Sequence, residues 1–285
     1  MPDNVIVYQG HEGAYSHLAC RHVHPEMTAR PCSSFVAAMM EVEHGKARLA
    51  MIPLENSTAG RVEEIYRQMP KTKLHIIGEH FEPVNHCLLG LRGSQLAQLK
   101  TVGSHPQALA QCHDRIKSLN LEPIAKLDTA GAALEVSERG DPSHCAIASS
   151  LAAELYDLEI LQENVQDVAG NTTRFLILSA TSRMPEYQMG QDYITSMMFK
   201  VRNIPAALYK ALGGFATNNV NLLKLESYMA GGTLRESTFH LDVSAHPHQR
   251  SMQLALQELE FFGVDIRILG TYPAHPFRRN HELIE

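Results

Sequence analysis

Two threonines, an arginine and a phenylalanine stand in a row at residues 172–175, after Gly170 and Asn171 and ahead of an apolar run, Leu176, Ile177 and Leu178. Side by side, hydroxyls and a guanidinium can hold a carboxylate and help a leaving group depart. The same residue types also make an ordinary turn followed by a strand start. Three other clusters share this double character: residues 10–17 (GHEGAYSH), 53–60 (PLENSTAG) and 104–107 (SHPQ). Glu55, Asn56, Ser57 and Thr58 can cap a helix, or can form a cradle of hydroxyls and amide N–H groups for a carboxylate. Ser104 can cap a helix opened by Pro106, and that helix start can equally face an anion, with Gln107 beside it. His105 taken alone reads as structural. GHEGAYSH, which includes Ser16, is not the G-x-G-x-x-G nucleotide fingerprint. No serine elbow, P-loop or pair of acids stands out. What accumulates is neutral hydroxyls and amides plus a strong cation, Arg174, a composition suited to a small dianion whose reaction needs little covalent help.

Alternating strands and helices must position these clusters. Strands are expected at 4–9, 47–56 and 73–81, with helices at 14–24, 33–45 and 61–69 between them. Ser33 or Ser34 would cap the second helix and Gly45 would stop it. A second unit follows, with strands at 85–91, 99–106, 122–128 and 145–149, and helices at 106–118, from Thr129 and from Leu151. The chain then reaches the strand at 170–178. Two α/β units in series, each with a largely parallel sheet, predict two lobes with a cleft beyond the carboxyl ends of the strands. Residues 181–192 are polar, hold Pro185 and Gly190, and read as a linker. Beyond them the order is β-α-β-β-α-β, with a hairpin turn at 230–233, an α+β ferredoxin-like unit whose edge strand can pair with a second copy.

The bulk numbers narrow the function classes. There are 25 Lys and Arg against 31 Asp and Glu, a net charge of −6, and no basic stripe with interleaved aromatics, so no nucleic-acid partner is expected. The start lacks a secretory signal pattern, and no run approaches the roughly 18 apolar residues of a membrane span. Neither a membrane partner nor a cofactor is expected, and the location is read as cytoplasmic. The five scattered cysteines suit a reducing compartment. Sixteen histidines invite a metal hypothesis, but HEGAYSH, HVH and HPH lack the spacing and nearby partners of a local ligand set, so no metal site is expected.

Taken together and in this order, GHEGAYSH, PLENSTAG, SHPQALAQC and NTTRF resemble prephenate dehydratase over residues 4–278. IPAALYKAL, NVNLLKLES and the closing ILGTYP resemble the ACT regulatory domain of that family. The resemblance implies a periplasmic-binding-protein-like (type II) catalytic region at 1–180, with lobe one at 1–77 and 167–180 and lobe two at 78–166. A linker at 181–192 and an ACT domain at 193–278 complete it. It implies a lyase that decarboxylates and dehydrates prephenate to phenylpyruvate in phenylalanine biosynthesis. Thr173, the threonine directly before Arg-Phe, would be catalytic, with Arg174 on the pyruvyl carboxylate and Asn56 and Ser57 as neutral donors. Glu55 would orient these groups or cap structure. Thr58, Phe175, Ser104, His105, Gln107 and Ser16 would complete the substrate site.

The resemblance also implies feedback by phenylalanine bound where ACT domains pair into a homodimer or homotetramer, at Ala207, Leu208, Asn221, Leu222, Glu226 and Ser227. The sequence departs from the family there: ESYM stands where many members have Glu-Ser-Arg-Pro, which either is neutral drift or alters the effector response. Binding of phenylalanine is expected to survive the change. Two other readings stay open: an arogenate dehydratase, and an amino-acid sensor using the cleft without chemistry.

Overall fold

A computed structural model of the chain describes residues 4–202, 204–229 and 237–281; the turn expected at 230–233 lies outside them. The chain divides into two compact units, residues 1–62 with 80–175, and residues 63–79 with 176–285.

The first sheet is begun by β1 (Val5–Gln9), β2 (Thr28–Cys32), β3 (Leu49–Asn56), the short β4 (Gly60–Arg61) and β5 (His75–Pro83). Helices α1 (Tyr15–Val23), α2 (Phe35–Glu43) and α3 (Glu63–Gln68) lie between them in sequence. Ser34 caps α2 by accepting the Ala37 N–H at 3.1 Å. β2 was not expected as a strand. It pairs only with β1 in the sheet order, and an edge position tolerates Pro31, which has no N–H to give.

The second sheet comprises β6 (Cys87–Leu91), β7 (Thr101–Ser104), β8 (Glu122–Ala125), β9 (His144–Ala148) and β10 (Leu158–Gln162), in the order β10-β6-β9-β7-β8. It is mixed rather than largely parallel: β7 runs parallel to β8 and β9, whereas β6 is antiparallel to β9 and β10. The helix expected at 106–118 is two helices, α4 (Pro106–Gln111) and α5 (His113–Ser118). The break falls at Cys112, and the Asp167 carboxylate takes the Asp114 N–H at 3.2 Å, so a side chain 53 residues away serves the second helix start. α6 (Thr129–Arg139) is capped by Asp128, which accepts from the Gly131 N–H at 2.7 Å, and ends at Gly140 in the left-handed conformation. α7 (Ser150–Leu155) follows β9. Their apolar faces close a core that includes Leu89, Ala133, Val136 and Ala152.

β11 (Thr172–Ser179) then returns to the first sheet, which runs β2-β1-β3-β11-β5 with β4 on β3. This return places the TTRF segment next to the strand that carries PLEN.

Ahead of a short last helix at Phe277–His281 come β12 (Tyr193–Val201), α8 (Ala207–Thr217), β13 (Asn221–Met229), β14 (Ser237–Ser244), α9 (Arg250–Phe262) and β15 (Gly263–Pro273). They form the βαββαβ order with an antiparallel sheet β13-β14-β12-β15. Ala211 and Phe215 of α8 and Met252, Ala255 and Leu259 of α9 are buried in its core, as the helical spacing requires.

Within the same unit, residues 63–79 are bound tightly. Arg278 grips the buried Glu79 with two bonds of 2.7 and 2.8 Å, and Arg267 donates to the Thr72 carbonyl at 2.7 Å. Gly270 passes so close to the Ile76 carbonyl that a Cβ there would collide with it. The 181–192 segment has no helix or strand and is pinned: the Tyr193 hydroxyl donates to the Glu186 carbonyl at 2.9 Å, and His246 Nε2 donates to the Pro185 carbonyl at 2.9 Å.

Candidate active site

A cavity of about 410 Å³ opens in the first unit. Its walls come from strand ends of both α/β sheets and the loops after them: Gln9 and Gly10 after β1, Asn56 at the end of β3, Thr173 and Phe175 on β11, His105, Gln107 and Gln111 around α4, and Asp128 before α6.

Strand alternation decides which of the TTRF residues face it. Neighbouring side chains point to opposite faces, so Thr173 and Phe175 line the cavity while Thr172 and Arg174 do not. Arg174 is only 3% exposed and its Nη1 donates to Glu55 Oε1 at 2.9 Å. The expectation that Arg174 meets a substrate carboxylate therefore does not fit this placement; it and Glu55 form an ion pair behind the wall. Of the described lining residues, Arg61 is the one with a guanidinium or ammonium group.

Asn56 sets the state of the Thr173 hydroxyl. Its Oδ1 accepts two backbone N–H groups, from Thr58 at 3.0 Å and Ala59 at 2.9 Å. Backbone N–H groups only donate, which fixes the amide orientation and aims Nδ2 at Thr173 Oγ1, 2.9 Å away. Because the threonine oxygen is already accepting, its own hydrogen is left to donate into the cavity, and a hydroxyl that accepts is a stronger donor.

Ser57 and Thr58 do not line the cavity. Ser57 braces it: its hydroxyl takes the Thr172 N–H at 2.9 Å and its own N–H reaches the Thr172 carbonyl at 2.9 Å. Thr58 contributes its backbone N–H to Asn56. Ser104 is fully buried and donates to the Ile147 carbonyl at 2.6 Å, so it neither lines the cavity nor caps α4. The cap is His105, whose Nδ1 accepts the Gln107 N–H at 3.2 Å. His105, Gln107 and Ser16 all reach the cavity.

The structure adds wall residues that sequence reasoning did not single out. The Tyr15 hydroxyl lies 3.0 Å from His86 Nδ1, and His86 Nε2 lies 3.0 Å from Gln111 Oε1. That oxygen also takes the Asn171 Nδ2 hydrogen at 3.2 Å, and Asn171 Oδ1 receives the Ser57 hydroxyl at 3.4 Å. Burial lowers the His86 pKa, partly opposed by its bond to Gln111. The ring is therefore neutral, with Nε2–H donating to Gln111, while the Tyr15 hydroxyl gives its hydrogen to the Asn85 carbonyl at 2.8 Å. Burial also holds the Tyr15 phenol well above its usual range, so it stays protonated. A signal existed for Gln111, four residues after Gln107 and so on the same helix face. None existed for His86.

The GHEGAYSH loop is strapped to the second sheet's helices. His11 Nδ1 bonds Asp128 Oδ2 at 2.5 Å, the Ser149 hydroxyl donates to the Gly13 carbonyl, and the Tyr156 hydroxyl donates to the Glu12 carbonyl at 2.6 Å. Gly13 must be glycine: its φ is +84°, and a Cβ would come within 2.9 Å of the Ala152 Cα.

Of the residues expected at the effector site, Ala207 and Leu208 begin α8. Asn221, Leu222, Glu226 and Ser227 lie along β13, with Glu226 opposite His240 of β14.

Known proteins of similar sequence identify the family. The family model for prephenate dehydratase matches residues 6–183. A bifunctional N-acyl-homoserine lactone acylase/prephenate dehydratase of Komagataeibacter europaeus is 48% identical over 280 residues, covering 97% of this chain and 98% of that one. Arogenate dehydratase/prephenate dehydratase 1 of Arabidopsis thaliana is 39% identical, covering 94% of this chain and 71% of that one. The crystal structure of the Arthrobacter aurescens prephenate dehydratase in complex with L-Phe superposes with a TM-score of 0.86 at 28% identity, over 98% of each chain. The chain belongs to the prephenate dehydratase family, a family of lyases.

Proposed function

We propose that the protein converts prephenate to phenylpyruvate and that the Thr173 hydroxyl assists departure of the ring hydroxyl. The observation that carries this reading is the Asn56 Nδ2–Thr173 Oγ1 bond in the cavity wall, which turns the threonine into an outward donor. As the bond to the ring carboxylate breaks, its electron pair enters the ring, CO2 leaves, and the C–O bond on the opposite side breaks. The departing hydroxide takes up a proton that is ultimately supplied by solvent. Aromatisation provides the driving force, so the protein needs to orient the dianion and stabilise the developing hydroxide. Arg61 is suited to hold the pyruvyl carboxylate. Arg174, through Glu55, stiffens the strand pair that carries Thr173 and Asn56.

The same geometry bears on the acylase activity in the name of the Komagataeibacter relative. An acyl-transfer nucleophile needs a neighbouring base to take its proton, whereas the Thr173 oxygen receives an amide hydrogen. Arogenate, which carries an amine in place of the keto oxygen, is the second substrate to compare.

The βαββαβ unit acts in this reading as an ACT domain that binds L-phenylalanine between paired copies in a cytoplasmic homodimer or homotetramer. The L-Phe complex of the Arthrobacter relative supports it. The deciding measurement is steady-state kinetics with prephenate, arogenate and an acyl-homoserine lactone in parallel, with and without phenylalanine. Prephenate should give the highest kcat/KM, and phenylalanine should lower it. No turnover of either cyclohexadiene would reject the dehydratase reading.

A further inference from the structure

Away from the cavity, two histidines converge on one buried carboxylate. His22 lies in the last turn of α1; His80 and Glu82 lie two residues apart on β5 and so on the same face of that strand. His22 Nδ1 is 2.9 Å and His80 Nε2 is 2.8 Å from the same oxygen, Glu82 Oε2. One ligand atom from each of the three residues falls within a sphere of contact in which all lie within 4.8 Å of one another. The Glu82 side chain is 2% exposed, His80 14% and His22 55%.

A carboxylate neutralised by two N–H donors is one account of this arrangement. One carboxylate oxygen has two acceptor positions and can take both donors. Two imidazole nitrogens and a carboxylate oxygen converging from a helix and a strand are also the three protein ligands of an open tetrahedral zinc site. An ion held at about 2.0–2.1 Å by each ligand would separate nitrogen and oxygen by roughly 3.3 Å. The observed edges therefore need to open by about half an ångström when a metal replaces the bridging hydrogens, a shift the half-exposed His22 can supply. Two nitrogen ligands disfavour calcium and magnesium, which take oxygen.

We propose that His22, His80 and Glu82 bind Zn2+, with the fourth position filled by water. The site clamps α1 to β5. Tyr15 at the start of α1 and Val84 just beyond β5 both line the cavity, and the Val84 N–H bonds the Asn171 carbonyl at 2.8 Å. The ion is thus placed to stiffen two supports of the cavity wall without touching substrate.

The test uses the full-length protein after chelator treatment, titrated with Zn2+ against a chromophoric competitor, with thermal unfolding as a second readout. One equivalent should bind and raise Tm. His22→Ala and His80→Ala should each weaken binding at least tenfold and abolish the Tm rise, while His44→Ala, an exposed histidine elsewhere, should change neither. His22 is exposed enough that its variant should fold. X-ray absorption of the zinc form should show two imidazoles and a carboxylate. Wild-type affinity in His22→Ala, or a Zn2+ environment of other ligands, would overturn the proposal.

Discussion

Asn56→Asp isolates the direction of a single hydrogen bond. The substitution is isosteric. The oxygen that accepts the Thr58 and Ala59 N–H groups is retained, so the loop should hold and stability should stay within about 1 kcal/mol of wild type. The other carboxylate oxygen now faces Thr173 Oγ1 where Nδ2 stood 2.9 Å away. It cannot donate, so the threonine must turn its hydrogen toward the aspartate and withdraw it from the cavity. Losing one donor aimed at a developing anion costs about 10²–10³ in kcat. A new carboxylate about 5 Å from developing negative charge, at an effective dielectric near 20, adds roughly 3 kcal/mol of repulsion, which partial solvent exposure reduces. Together they predict a fall on the order of 10³–10⁴. Thr173→Val, which removes the hydroxyl without adding charge, should fall by about 10²–10³ alone. The double variant should lose far less than the product of the single losses, because both act on one hydrogen. The assay is phenylpyruvate formation from prephenate by ultraviolet absorbance, with Tm measured on each variant. Activity within threefold of wild type in a folded Asn56→Asp would refute the donor role. So would losses that multiply across the two substitutions.

Burial lowers the pKa of both His17 and His86. For each, the unfolded ring binds a proton more readily than the folded one. The stabilisation is complete above the unfolded value near 6.5 and is lost as pH falls below it, with a limiting slope of about 1.4 kcal/mol per pH unit per ring. Chemical denaturation between pH 7 and pH 5 should show that decline, and His86→Gln should flatten it. Glu55→Ala removes a partner of the buried Arg174 guanidinium and should cost on the order of 3 kcal/mol; an unchanged denaturation midpoint would show that the pair is dispensable. Phenylalanine at 100 times its Kd should stabilise the folded protein by about 2.7 kcal/mol, read as a rise in Tm. A flat response would mean that the ESYM run has disabled the effector site.

The sequence by itself determined most of the element types and their order, because hydrophobic period and capping are local properties. Ser34 before α2, the Leu208, Ala211, Leu212 and Phe215 face of α8 and the βαββαβ order were legible for that reason. So were the clusters that meet at the cavity, since hydroxyls and amides gathered at strand ends are visible in the chain. Alternation even dictated that Thr173 and Arg174 face opposite ways. Which of the two faces the cavity was settled by packing, when β11 slotted between β3 and β5 and buried the guanidinium against Glu55. Other features were equally beyond local reading: the break at Cys112, made with Asp167, the burial of Ser104 beside β9, and the His86–Gln111–Asn171 hydrogen-bond chain. The meeting of His22 with Glu82, 60 residues apart, likewise lay outside anything local spacing can record. Each depends on side chains brought together by chain return, and no periodicity in the sequence records a contact between residues that only the closed fold makes neighbours.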